Sequence, residues 1–179
     1  MPQKLLRNSI AQVVFLRELN KAIEMVYRCI IAVFVTLSWL SSAVQADDMV
    51  SPSPDIEPRD VIAIQLNGLQ YNEFPEADSG IRQTWAFAHP RNRAVTGPLP
   101  RFTMMLKGPA FAMMLNHASH EIMLKKSGEK WRQFDVLMAA ANGDIMQFVW
   151  IVEQVTEGRY EDCWMTVAVS APRRIGQDS

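Results

Sequence analysis

His117 and His120 stand three positions apart just ahead of an alternating apolar run, and His89 is the other histidine beyond the first fifty residues. Imidazoles that close suit metal binding or proton transfer. Zinc takes four ligands at a structural site and three protein ligands at a catalytic one, and no HxxxH, HExxH or CxxC spacing supplies the rest. Neither a metal nor another cofactor is expected. Met104-Met105, Met113-Met114, Met123, Met138, Met146 and Met165 fall around the histidines. Thioethers beside imidazole suit Cu(I), but methionine on amphipathic elements is the usual filler of irregular core gaps, which is the reading adopted.

The groups available for acid–base work are His89, His117, Asp135, Tyr160 and Asp162. Asp135 alternates with apolar neighbours and is expected to face solvent, since Asp is rarely buried. Glu161-Asp162 follows Gly158 in a turn. No acid–base pair stands out. Cys163, beside Trp164, reads as a small buried hydrophobe rather than a nucleophile. Arg91, Arg93 and Arg101 surround Thr96-Gly97-Pro98, whose backbone amides could approach an anion; an exposed loop with ordinary arginines is the simpler account. Trp85, Trp131, Trp150 and Trp164 are a rich aromatic supply. Most belong in a core, but Trp150 or Trp164 could join Trp85 in lining an apolar pocket with a polar rim. The candidate ligand-binding residues are therefore Trp85, His89, Arg101, His117, Trp150 and Trp164, and no residue is assigned as catalytic.

These residues must be held by a sheet and its cover. Phe134, Val136, Met138 and Ala140 alternate, and Asn142-Gly143 follows as a hairpin signal. Met146, Phe148, Trp150 and Val152 form one face of the next strand; Ile145, Val149, Ile151 and Val155 make the other face apolar too, as in a central strand covered on both sides. His120 to Lys126 and Cys163 to Ser170 complete a four-stranded antiparallel sheet. Ahead of it, Pro58 opens a helix with Val61, Ile62, Gln65, Leu66 and Leu69 on one stripe. A second helix, capped by Asp78 or Ser79, buries Ile81, Trp85 and Ala88. His89-Pro90 ends it, and an irregular basic loop follows. Pro100 opens a short helix that Gly108-Pro109 ends, and one more helical turn covers Phe111 to Leu115. Helices first and strands afterwards predict an α+β fold with helices packed on one face of a curved four-stranded sheet.

The first 46 residues read differently. Arg28, an apolar run from Cys29 to Leu40, and Val44-Gln45-Ala46 form a cleavable export signal cut before Asp47, and Met25 gives a leader of ordinary proportions. The apolar run is well short of the roughly 20 residues of a permanent span. The expectation is an exported protein, in a periplasm, a lumen-type compartment or the medium. Residues 47–57, with Ser51-Pro52-Ser53-Pro54, read as a flexible spacer, residues 58–171 as the folded domain and residues 172–179 as a tail. Past residue 46 the chain has 13 basic and 17 acidic residues, a net charge of −4, with its basic residues scattered. That excludes nucleic acid as an expected partner. Cys163 is then the lone cysteine, so no internal disulfide forms and about 130 residues must hold together by their core.

Gln65-Leu66, Leu69, Asn72, Asp78-Ser79-Gly80-Ile81, Ala86-Phe87-Ala88, Pro90, Gly97-Pro98, Arg101-Phe102, Met114-Leu115-Asn116-His117 and Asp162-Cys163-Trp164-Met165-Thr166 together carry a resemblance. Over roughly Pro58 to Ala171 the chain resembles the family called domain of unknown function 4864, in the branch shared by photosynthetic organisms and some bacteria. The resemblance implies a cystatin-like roll of the nuclear-transport-factor type, a cone of sheet wrapped around helices, and it implies no activity. With the aromatic supply, it leads to the expectation of a non-catalytic module that binds a small apolar ligand or a protein partner, with a homodimer through the sheet as a further candidate. The alternatives are a small isomerase or hydro-lyase using His89 or His117 as base, and an accessory factor of the envelope or of photosynthetic membranes.

Overall fold

The apolar stripe that begins at Val61 forms α1 (Pro58–Gln70), with Pro58 in the first turn and Val61, Ile62, Gln65, Leu66 and Leu69 all buried. The structure, a computed structural model, describes residues 49–177. The expected export signal over residues 1–46 and the alternative start at Met25 lie outside the described residues. α2 (Ser79–Ala86) crosses α1 where Gly80 meets Gly68: a Cβ on Gly80 would lie 2.0 Å from the Gly68 carbonyl oxygen. Only a hydrogen side chain permits that approach. Asp78 holds the position ahead of α2 but its side chain does not cap the helix. Instead its carboxylate takes Lys107 Nζ at 2.7 Å, and buried Asn72 Oδ1 accepts the Ile81 amide at 3.1 Å. Asn72 therefore does the capping expected of Asp78 or Ser79.

The segment expected as an irregular basic loop contains α3 (Pro90–Thr96). Proline in the first turn is preorganised for a helix, and His89 Nδ1 accepts the Arg91 amide at 3.0 Å as its cap. The X-Pro step that ends α2 also begins α3. α4 (Leu99–Lys107) follows, then a single 3₁₀ turn at Ala112–Met114.

The strands are β1 (Ser119–Ser127), β2 (Trp131–Ala139), β3 (Asp144–Gln154), β4 (Trp164–Val169) and β5 (Arg173–Gln177), all antiparallel to their partners. The β2–β3 hairpin closes through a turn in which the Gly143 amide bonds the Ala140 carbonyl at 2.9 Å and Gly143 takes φ 85°. That places the left-handed residue at the glycine. The register sets Phe134 opposite Trp150, Val136 opposite Phe148 and Met138 opposite Met146, all six buried under the helices.

Four strands were expected and five form, because residues 172–177, read as a tail, hold β5. Both β4 and β5 pair with β3, at Trp150–Gln154 and at Asp144–Gln147, so they occupy one column of the sheet. Pro172 interrupts the column, since it has no amide hydrogen to donate. At the break the Ser170 hydroxyl accepts the Val149 amide at 2.8 Å. A second correction concerns coverage: the helices cover one face, while Ile145, Val149 and Ile151 on the other are half-buried. Val155 is buried, in a small cluster with Cys163, Met165 and Tyr160. A third concerns the expected spacer. Gln83 bonds the Val50 amide and carbonyl, both at 2.8 Å, and Ile56 packs on the core, so residues 49–57 are tied to the domain.

Candidate functional site

Gln65 is the one polar side chain on the buried stripe of α1, and it lies 1% exposed. A buried amide must find partners, and Gln65 finds them across the domain. Its Oε1 accepts the Thr166 hydroxyl at 2.6 Å and the Trp150 indole N–H at 3.3 Å, while its Nε2 donates to the Thr84 carbonyl at 3.0 Å. Trp150 Nε1 also donates to Thr166 Oγ1 at 3.0 Å. Because an indole N–H only donates, the amide end facing it is fixed as the oxygen. Four residues from α1, α2, β3 and β4 thus form one polar knot inside an apolar core.

Above this knot the helical layer and the sheet leave a cavity of about 110 Å³. Gln65, Thr84, Trp150 and Thr166 form its polar pole. Leu69, Phe102, Met105, Leu106, Phe111 and Met114 supply most of its apolar wall, with Ala88 and Val169. Asn92 and Thr96 of α3 complete the lining; Asn92 Nδ2 donates to the Thr166 carbonyl at 3.1 Å. None of these lining side chains titrates near neutral pH, so the cavity offers hydrogen bonds and apolar contact rather than a proton donor or acceptor of tuned strength.

Of the six candidate ligand-binding residues, the structure brings Trp150 to this cavity. Trp85 stands one layer back, its ring 5.0 Å from Phe102. His89 is buried as the cap of α3, and burial, reinforced by the Arg91 charge, pushes its pKa down. Arg101 is exposed and folds against Gly97. Trp164 lies beneath the Arg132 guanidinium, 5.0 Å from ring to cation. The basic cluster divides its duties: Arg91 pairs with Glu153, and Arg93 donates to the Trp85 and Ala86 carbonyls at the end of α2 at 2.9 and 2.8 Å.

His117 is 2% exposed and forms a pair with His120, Nε2 to Nδ1 at 2.8 Å. Its own Nδ1 sits 2.8 Å from the Met114 carbonyl. A carbonyl only accepts, so His117 carries its proton on Nδ1, its Nε2 accepts, and His120 Nδ1 donates. His120 Nε2 is left as the basic atom of the pair. Burial is the main cause that lowers both pKa values; the Met114 bond opposes it at His117, and the Arg59 charge adds to it at His120. Among the described residues no group of three or more His, Cys, Asp or Glu side chains is placed to hold a metal ion. Cys163 is buried, and burial together with the Asp162 charge pushes its thiol pKa up, which disfavours the thiolate.

Gln65 and Thr166 were missed as site residues. The available signal was a glutamine on an otherwise apolar helical stripe. Compared with known protein families, curated proteins and solved structures, the chain matches none.

Proposed function

We propose that the protein is an exported, non-catalytic binding module of the family of unknown function 4864, with a cystatin-like roll whose cavity between helices and sheet takes a small, mainly apolar ligand. The observation that carries this reading is the cavity itself: lined mostly by apolar side chains, with Gln65, Thr84, Trp150 and Thr166 joined in one hydrogen-bonded group on its wall, as ligand sites commonly are. The lack of a titrating side chain in its lining weighs against acid–base chemistry there. Trp150 lines the cavity and is buried, so its fluorescence reports occupancy. Titration with small apolar compounds changes Trp150 emission and raises Tm, and the cavity-filling variant Val169→Phe loses the response while keeping its circular dichroism spectrum. A wild-type domain that responds to no compound small enough to enter overturns the proposal.

The His117–His120 pair supports a second reading, a small acid–base enzyme of the isomerase or hydro-lyase kind in which His120 Nε2 takes the proton and His117 positions it. The pair does not line the cavity. Turnover that vanishes in His120→Asn with ligand binding unchanged would establish it over the first reading.

A further inference from the structure

The polar pole of the cavity restricts what can occupy it, given the binding reading above on which this inference rests. An amide nitrogen has two hydrogens to donate. Gln65 Nε2 uses one on the Thr84 carbonyl, and the other has no partner among the described residues although the side chain is 1% exposed. Thr166 uses its hydrogen on Gln65 Oε1 and accepts one N–H from Trp150, which leaves one lone pair. Thr84 donates to the Gly80 carbonyl at 2.8 Å and keeps its hydroxyl lone pairs. The pole therefore presents one spare donor beside spare acceptors, and all of them are neutral.

Size sets the second restriction. A cavity of about 110 Å³ is somewhat smaller than an engineered apolar cavity of about 150 Å³ that holds benzene. It is far below the roughly 300–1,000 Å³ of sites for drug-sized ligands. The volume suits a body no larger than a single small ring. Charge sets the third. Among the described residues no Lys, Arg, His, Asp or Glu lines the cavity, and an ion buried without a counter-charge is strongly disfavoured.

We infer that the occupant is a neutral molecule of about six non-hydrogen atoms with a compact hydrocarbon body and one hydroxyl or carbonyl oxygen, a small alcohol or ketone, whose oxygen accepts the spare Gln65 hydrogen. A hydroxyl also donates to Thr166 or Thr84 and satisfies the pole in both senses. Met105 and Met114 in the wall adjust to the shape of the hydrocarbon.

The test uses cyclopentanol, its oxygen-free isostere methylcyclopentane, and cyclobutanecarboxylate, followed by the indole resonance of Trp150 and by Tm. Cyclopentanol shifts both, and the carboxylate shifts neither. In Gln65→Leu the ratio of alcohol to hydrocarbon affinity falls about tenfold, the worth of one hydrogen bond. Thr166→Val, which leaves the Trp150–Gln65 bond in place, serves where that variant is too unstable, and lowers the ratio in the same direction. Should methylcyclopentane bind while cyclopentanol does not, or the carboxylate bind as well, the ligand class assigned here is wrong and the binding reading stands. Should none of the three bind, both fail.

Discussion

His117 and His120 illustrate how a sequence pair acquires chemistry only through its surroundings. The Met114 carbonyl fixes the tautomer of the first ring, which fixes the second, and burial lowers the pKa of both. His89 is lowered for the same main reason. A histidine whose folded pKa lies below its ordinary 6.5 binds fewer protons folded than unfolded, so its contribution to stability is fully present above that pH and is lost as pH falls. Tm is expected to be level above neutrality and to drop on acidification below pH 6.5, as scanning calorimetry across that range would show. His120→Asn retains a donor for His117 but cannot titrate, so it flattens the acid limb; an unchanged limb would mean that the pair does not govern it. Gln65 makes a second case at this scale. Gln65→Leu removes the acceptor of the Thr166 hydroxyl and the donor to the Thr84 carbonyl. Chemical denaturation should show a loss of about 2–3 kcal/mol, because polar groups left buried and unpaired are costly.

Elements that bury a continuous stripe were legible in the sequence, and elements held by tertiary contacts were not. α1 and the β2–β3 hairpin carry their periodicity in their own residues. α3 has no buried residue at all. It is fixed by the His89 cap, by Arg93 reaching the end of α2 and by Asn92 reaching β4, none of which periodicity reveals. β5, Arg-Arg-Ile-Gly-Gln, is too short and polar to announce itself as a strand, and pairs only because β3 extends beyond β4. The crossing of α1 and α2 was equally silent, since Gly68 and Gly80 look like ordinary helix glycines until the backbones meet. Gly80→Ala is expected to force the helices apart and to destabilise the domain by about 1–3 kcal/mol or more, as overpacking does. An alanine variant with wild-type stability would show that the helices do not pack this closely.

At the scale of the whole molecule, an α+β architecture with helices ahead of an antiparallel sheet follows from the order of the periodic segments, whereas the cavity does not. Its lining runs from Gln65 to Val169, and a concavity assembled from positions so far apart leaves no local trace. The face of the sheet that the described helices leave uncovered poses the remaining question, whether a second copy covers it. That face carries half-buried Leu137, Val149 and Ile151, which favours association, but a polar ladder also crosses it. Lys125 approaches Asp135 at 3.5 Å, Gln147 donates to the same carboxylate at 2.9 Å, and Arg173 bonds Gln147, so β1, β2, β3 and β5 are joined in turn. A dimer through this face would have to strip water from the ladder's charges, and like ladders meeting across a two-fold axis gain little in return. Sedimentation at tens of micromolar is accordingly expected to show a monomer. Removing both charges in Lys125→Leu, Asp135→Leu joins the apolar patches on either side and shifts the equilibrium toward a dimer, because position 135 lies between Met123 and Val149 in the register. A wild-type dimer disrupted by Val149→Arg would reverse the argument and make the open face an interface in its own right.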